Sequence, residues 1–340
     1  MDPFPLMKLS VVSTLYKSEP HIAEFCDRVS AVARHLVGDE FEIILVNDGS
    51  PDGSLDLAIA RSMVDRHVTV IDLSRNFGHH KAIMTGLAHA KGDRVFLIDS
   101  DLEEEPEWLL SFADRMSDRQ LDVVYGVQKS RRGGTLERWT GTLFFSITNA
   151  LSDLQLPRNL VIARLMTRAY VAALVSHQDH EFIIAHLFQL TGFRQDSQLV
   201  VKHALSPTTY SISRRIQMAV RYLMTTSTKI LYLILYFGLT ISMLSVLTMA
   251  FYLTRYVVYG VGVTGFTSII ISIWFFGGMT MLTLGILSVY IANILSETKR
   301  RPYTIIRDIH RGPATGIEGQ VDGHAAVEDR SSLGPERVRD

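Results

Sequence analysis

The chain has 340 residues, 47% of them hydrophobic and 20% charged, with a formal net charge of −1 and a mean hydropathy of +0.17. This balance fits a soluble domain joined to a membrane part and excludes both a disordered chain and a wholly membrane-embedded one. The missing basic surplus argues against nucleic-acid binding, and a single cysteine, Cys26, excludes a disulfide scaffold and a cysteine-based metal site.

The N-terminal MDPFPLMKLSVVSTLY lacks a basic region followed by an apolar run and a small-residue cleavage site, so no secretory signal is read there. Apolar, β-branched runs then recur as KLSVVST (8–14), FEIILV (41–46), VTVID (68–72), RVFLID (94–99) and LDVVYG (121–126). Segments of helical length and spacing fall between them around 21–37, 54–66, 80–90 and 107–117. Strands alternating with helices predict an α/β fold with a mostly parallel sheet covered on both faces. Ligands of such sheets bind at the carboxyl ends of the strands.

Polar chemistry collects after each run. Thr14-Leu15-Tyr16-Lys17-Ser18-Glu19 follows the first, Asn47-Asp48-Gly49-Ser50 the second, Ser74-Arg75-Asn76-Phe77-Gly78 the third and Asp99-Ser100-Asp101 the fourth. Neither G-x-G-x-x-G nor a P-loop motif is present, so phosphates must be held in another way. Two carboxylates one residue apart, Asp99 and Asp101, can grip Mg²⁺ or Mn²⁺ carrying a diphosphate. Asp48 can accept hydrogen bonds from a base or ribose, while Arg75, His79, His80 and Lys81 suit a diphosphate. His79 and His80 lack a further His or Cys at ligand spacing, so they read as loop or helix-start residues and not as metal ligands. Glu104, Glu105 and Glu107 read as acids at a helix N-terminus, where the dipole favours them.

Beyond the soluble part, 25 residues without a charge separate Lys229 from Arg255 and 41 separate Arg255 from Glu297. About twenty apolar residues cross a bilayer, so two spans are expected, near 230–253 and 266–291. Arg214, Arg215, Arg221 and Lys229 precede them and Lys299, Arg300, Arg301 and Arg307 follow, against Arg255 alone at the intervening turn; both ends are then cytoplasmic. Gly277, Gly278 and Gly285 would permit close helix packing, and a homo-oligomer is expected from them. The resulting division is a catalytic domain over 1–212, an interfacial amphipathic helix over 213–229, a membrane hairpin over 230–293, a basic juxtamembrane segment over 294–310 touching membrane lipids, and a disordered tail over 311–340.

Taken together, VVSTLYKSEPHIAEF, FEIILVNDGSPDGS, DLSRNFGHHKAIMTGLAHAKGDRVFLIDSDLEEEPE, DVVYGVQKSRRG, RLMTR, TGF, TTYS and the paired spans carry a resemblance over about residues 7–305. The chain is similar to the inverting GT-A glycosyltransferases of family two, in the polyprenyl-phosphate branch that includes dolichyl-phosphate mannose synthases and bactoprenol glucosyltransferases. The resemblance implies a GT-A, Rossmann-like domain that moves a sugar from a nucleotide-sugar donor to a polyprenyl phosphate. It implies that Thr14, Tyr16, Glu19 and Asp48 line the nucleoside pocket, with Lys81 and Ser100 counted in the nucleotide set. Asp99, Asp101 and Glu103 surround the metal, and Arg131, Arg132, Arg164 and Lys202 bind acceptor or donor phosphate, Arg131 and Arg164 with a catalytic share.

This sequence departs from the family at several points. Asn47 replaces the first Asp of the usual Asp-Asp-Gly-Ser, Thr14 replaces a common Pro, Glu103 stands where many relatives have Gln, and Val161-Ile162-Ala163 replaces the Gly-Asp-Phe that often precedes Arg-Leu-Met. The sugar remains open, with UDP-glucose or UDP-N-acetylhexosamine expected, and so does the choice of undecaprenyl or dolichyl acceptor. A processive synthase would need Gln-x-x-Arg-Trp, but Thr135 stands before Arg138-Trp139. An inactive nucleotide-sugar-binding scaffold is the rival from another class, and the retained Asp48, Asp99, Asp101 and Glu19 argue against it.

Overall fold

The computed structural model describes residues 8–128, 159–177, 179, 182–202, 229–259, 265–299 and 301–312. Arg131, Arg132, most of the expected interfacial helix and all but the start of the expected tail lie outside them.

Four strands form the parallel centre: β1 (Leu9–Leu15), β2 (Phe41–Asn47), β3 (Val68–Leu73) and β4 (Arg94–Leu97). Each is linked to the next by a helix, α1 (Ile22–Val37), α2 (Ser54–Val64) and α3 (His79–His89), as the alternating pattern predicts. After β4 come α4 (Trp108–Arg119), β5 (Val123–Gln128), β6 (Leu160–Thr167), α5 (Arg168–Val175), α6 (Ile184–Leu190) and β7 (Gln195–Val200). Two long helices, α7 (Lys229–Tyr259) and α8 (Phe266–Thr298), precede the last strand, β8 (Ile306–Arg311). The eight strands form one sheet in the order β7-β5-β6-β4-β1-β2-β3-β8, with β6 and β8 running against the other six.

Neighbouring residues on a strand point to opposite faces, and the core divides accordingly. Val11, Ile43, Leu45 and Phe96 pack with Phe25, Val29 and Phe112 of α1 and α4, whereas Val12, Ile44, Val46 and Leu97 pack with Ile83, Leu87, Tyr170 and Phe188 of α3, α5 and α6. All are at most 1% exposed, so adjacent apolar residues such as Val11-Val12 and Ile43–Val46 serve opposite faces, as in strands covered on both sides.

β8 corrects the expected membrane-surface segment over its last residues. Ile306–Arg311 pairs antiparallel with β3, and Tyr303, Ile306 and Ile309 pack against the core that holds Val12, Ile44 and Val46. The alternation of Ile306 and Ile309 with charged residues mimics an amphipathic interfacial stretch, but burial on a sheet satisfies its backbone as well. The part that follows the two long helices thus belongs to the same sheet as the part that precedes them.

α7 and α8 contain 31 and 33 residues, about 46 and 50 Å of helix. Within α8, Ser272–Ala292 is long and apolar enough to cross a membrane, with a mean hydropathy of 1.7 and none of it buried. Among the described residues it is the one segment that meets that measure, where two were expected; the first uncharged run lies within α7. Apart from the helix's own backbone, none of the described residues lies within 4 Å of where a Cβ would stand on Gly277, Gly278 or Gly285.

Candidate active site at the carboxyl edge of the sheet

The parallel register aligns Leu15 with Asn47 and Asn47 with Asp72, so the loops after β1, β2 and β3 meet on one edge. Asp48 ties two of them together. Its carboxylate, 2% exposed, accepts hydrogen bonds from the amides of Phe77 (2.7 Å) and Gly78 (3.0 Å), and Asn76 Nδ2 donates to its carbonyl (3.0 Å). Burial raises the Asp48 pKa despite these two amides. Gly49 has φ +60, and a Cβ there would stand 2.5 Å from the Asn76 nitrogen, so only glycine lets the two loops touch.

The β1 and β4 ends are joined by Ser100, 4% exposed, whose hydroxyl meets the Thr14 carbonyl (2.8 Å) and the Ser18 hydroxyl (2.9 Å). Glu19 accepts from the Gly53 amide (2.9 Å) at the start of α2. Tyr16 is half exposed, leaving ring surface for a base to stack on. Of the expected nucleoside set, Thr14, Tyr16, Glu19, Asp48 and Ser100 therefore stand on this edge, and Asp48, Glu19 and Ser100 already hold neighbouring loops. Lys81 lies in the first turn of α3, where its amide meets the Gly78 carbonyl.

The acids follow β4. Asp99 lies within the site and Asp101 accepts from the Glu103 amide (3.0 Å), across a turn in which Leu102 adopts a left-handed φ of +58. Such a conformation in a non-glycine residue marks a turn held by its surroundings. Burial pushes the Asp99 carboxyl well up, and the neighbouring Asp101 and Glu103 charges push it further. Crowded carboxylates of this kind suit a hard divalent cation. Among the described residues no three His, Cys, Asp or Glu side chains converge on one metal-sized point. Asp99 and Asp101 thus fit a cation that takes its remaining oxygens from a diphosphate, and Glu103 is engaged instead with Lys202 Nζ (3.1 Å).

Two residues take roles that their local sequence did not suggest. His79, the first residue of α3, bridges Thr14 Oγ1 (3.0 Å to Nδ1) and Asp99 Oδ1 (3.5 Å from Nε2), joining the expected nucleoside and metal sets. Burial lowers its pKa, against the raising fields of Asp48 and Asp101. Glu104 is not a helix-dipole acid: it is 0% exposed and accepts from the amides of Ile162 (3.0 Å) and Ala163 (2.9 Å). The helix-start reading suits Glu107, which stands at the N-cap position of α4 and turns its carboxylate to Arg28 at 2.6 Å without capping a helix amide.

Arg164 is 2% exposed; its guanidinium lies 3.2 Å from the Phe188 ring centroid and Nε donates to the Ile162 carbonyl. It is buried in the sheet at β6, and burial lowers its pKa to about 10. The expectation that it touches a phosphate finds no solvent-facing surface in this arrangement.

A family model described as glycosyl transferase family 2 matches residues 10–177. A Shigella flexneri protein named SfII prophage-derived bactoprenol glucosyl transferase is 30% identical over 90% of this chain and 99% of its own length. The chain belongs to glycosyl transferase family 2. A Mycobacterium tuberculosis protein bearing a glycosyltransferase name is 42% identical over 92% of this chain and 91% of its own. Among solved structures, a Pyrobaculum calidifontis mannosyltransferase in complex with GDP-Man and Mn²⁺ is 18% identical, with a TM-score of 0.46 over 65% of this chain and 64% of that one. This family 2 chain has the α/β GT-A fold, with its polar loops on one edge of a mostly parallel sheet.

Proposed function

We propose that the protein is a membrane-bound inverting glycosyltransferase that moves a sugar, glucose or an N-acetylhexosamine, from a UDP-sugar to polyprenyl phosphate. The observation that carries this reading is the meeting of Asp99 and Asp101 with Thr14, Tyr16 and the Asp48 loop on one sheet edge. The near full-length likeness to a bactoprenol glucosyl transferase supports the acceptor class.

Topology supports membrane residence with two crossings. β7 precedes the two long helices and β8 follows them, yet both belong to one sheet. A chain that leaves the sheet's side of a bilayer and returns must cross an even number of times. One crossing by α8 therefore requires a second, for which α7 holds the uncharged length. Lys229, Lys299, Arg301 and Arg307 near the outer ends favour a cytoplasmic catalytic domain and termini.

A phosphate monoester has a second pKa near about 6, so the acceptor is already a nucleophilic anion at neutral pH and needs no strong base. One of its oxygens attacks the anomeric carbon as the bond to the nucleotide diphosphate breaks on the opposite side, inverting the centre. Asp99 and Asp101 would hold Mg²⁺ or Mn²⁺, which neutralises charge on the departing diphosphate when bound. Tyr16 stacks on the base beside Thr14, Asp48 shapes the nucleoside end by holding the loop 76–78, and Arg131 or Arg132 draws in the acceptor phosphate. Positioning and electrostatics supply most of the rate.

The test incubates the full chain with undecaprenyl phosphate, Mg²⁺ or Mn²⁺ and a panel of labelled nucleotide sugars, then extracts lipid. Label in the organic phase that falls by about 10²–10³ in Asp101→Ala, while melting is unchanged, is the expected result. Full transfer by a folded Asp101→Ala protein overturns the assignment.

A further inference from the structure

Asp72, near the end of β3, is 3% exposed, and β1 and β2 separate its strand from β4, which Asp99 and Asp101 follow. One carboxylate oxygen accepts from Asn47 Nδ2 at 2.8 Å; the other faces Arg307 Nη1 at 3.3 Å. Arg307 comes from β8, which the chain reaches only after both long helices. Its Nη2 donates to the Ser74 carbonyl at 2.7 Å, and the Ser74 amide donates to the Ile305 carbonyl at 2.9 Å. Asn47 Oδ1 in turn accepts from the Ser50 amide at 3.2 Å.

We infer that Arg307 is a positioning residue for the donor site, acting through Asp72 on the loop 47–50 and through Ser74 on the loop 74–78. The inference rests on the reading of that edge as the nucleotide-sugar site. Both loops meet at Asp48 and Gly49, so a shift in either moves the Asp48 carboxylate and the His79 end of α3. A direct Arg307–Asp72 attraction is weak by itself, because the arginine side chain is 60% exposed. The consequence of removing it is larger, since one oxygen of a buried carboxylate then loses its partner beside a loop that can move to solvate it.

Asn47 fits the same network. An Asp in its place would put a second carboxylate 2.8 Å from Asp72, where Asn47 now donates. Asn47 and Arg307 are thus two halves of one neutralising arrangement, which links the donor loops to the chain segment returning from the apolar helices. Thr304 fastens that segment to α3 through the Thr85 hydroxyl at 2.8 Å.

The test compares wild type, Arg307→Met, Arg307→Lys and the double variant Asp72→Asn with Arg307→Met, each as the full chain in lipid nanodiscs. Two readouts are taken: amide exchange over 47–53 and 74–78, and calorimetric binding of UDP with Mn²⁺. Arg307→Met is expected to accelerate exchange in both loops and weaken UDP binding on the order of tenfold. Arg307→Lys and the double variant recover most of both, because each removes the unpartnered charge. Arg307→Met with unchanged exchange or unchanged affinity overturns the inference, as does a lowered melting temperature with UDP affinity intact. Wild-type protein that binds no nucleotide overturns the donor-site reading itself, and with it the role given to Arg307.

Discussion

Lys202 and Glu104 meet 3.8 Å apart, the carboxylate wholly buried and the lysine less than a quarter exposed. The same ammonium lies 3.1 Å from Glu103, so one cation at the end of β7 serves two acids of the β4 loop. Glu104 in turn holds β6 through two amides, so the loop that carries Asp99 and Asp101 is fastened to the strands beside it. Lys202 thus organises the acids in this structure.

Lys202→Met removes that counter-charge and is expected to cost about 1–3 kcal/mol at neutral pH, less than a fully buried pair loses, because the lysine keeps some water contact. Burial raises the Glu104 pKa, with Asp99 raising it further and Lys202 opposing. An acid whose folded pKa is raised stabilises the fold below its unfolded pKa, and that contribution is lost as pH rises through the folded value. The deficit of the variant should therefore shrink as pH falls toward the ordinary carboxylate range. Urea midpoints across pH 5–8 check both the size and the direction.

His79→Ala breaks the bridge between Thr14 and Asp99 while leaving the helix backbone intact. The expected outcome is a rise in donor KM on the order of tenfold with a smaller change in melting temperature, since the imidazole is partly exposed and supports little of the core. Equal KM in the two proteins would leave His79 as a helix-start residue only.

The sheet's centre was legible because β1 to β4 are buried on both faces and show it as short apolar stretches such as Val11-Val12, Ile43–Val46 and Val95–Leu97, flanked by polar loops. β6, β7 and β8 were not. Arg164 interrupts the apolar run of β6 and looks like a ligand, although Phe188 and the Ile162 carbonyl accommodate it inside. β7 is an edge strand, QDSQLV, mostly polar and only partly buried. The acids after Asp101 resemble any charged helix start, and what distinguishes Glu104 is a pair of amides on a strand far along the chain. Asp99 and Asp101 stood out by spacing and place, whereas His79 and Arg307 act through partners distant in sequence, which local pattern does not reveal.

Gly49→Ala should disturb the donor edge without touching any charged group. Its φ of +60 already disfavours a side chain, and the added methyl would meet the backbone of Asn76 and Arg75 at 2.5 and 2.8 Å. Backbone cannot rotate aside as a side chain can, so the loop 74–78 must withdraw from Asp48. A stability loss of about 1–3 kcal/mol is expected, together with weaker nucleotide binding. Denaturant unfolding and calorimetry on the same preparation separate the two effects, and unchanged binding would show that the loops tolerate a wider gap.

Cys26, the chain's one cysteine, lies in α1 at 0% exposure, and burial pushes its thiol pKa up to about 12. Arg61 opposes the rise, while Asp27 and Asp65 add to it. The thiolate is the reactive form, so at pH 8 the folded protein should resist alkylation by iodoacetamide, whereas the unfolded chain, with a thiol pKa near about 8.5, reacts readily. The folded pKa lies above the unfolded one, so the native state retains its proton longer and this group's stabilising contribution disappears as pH rises from about 8.5 toward 12. Labelling of Cys26 at increasing urea should then follow the same transition as circular dichroism of the sheet domain. Modification well before that transition would mean that α1 detaches from β1 and β2 while the rest of the sheet stays folded.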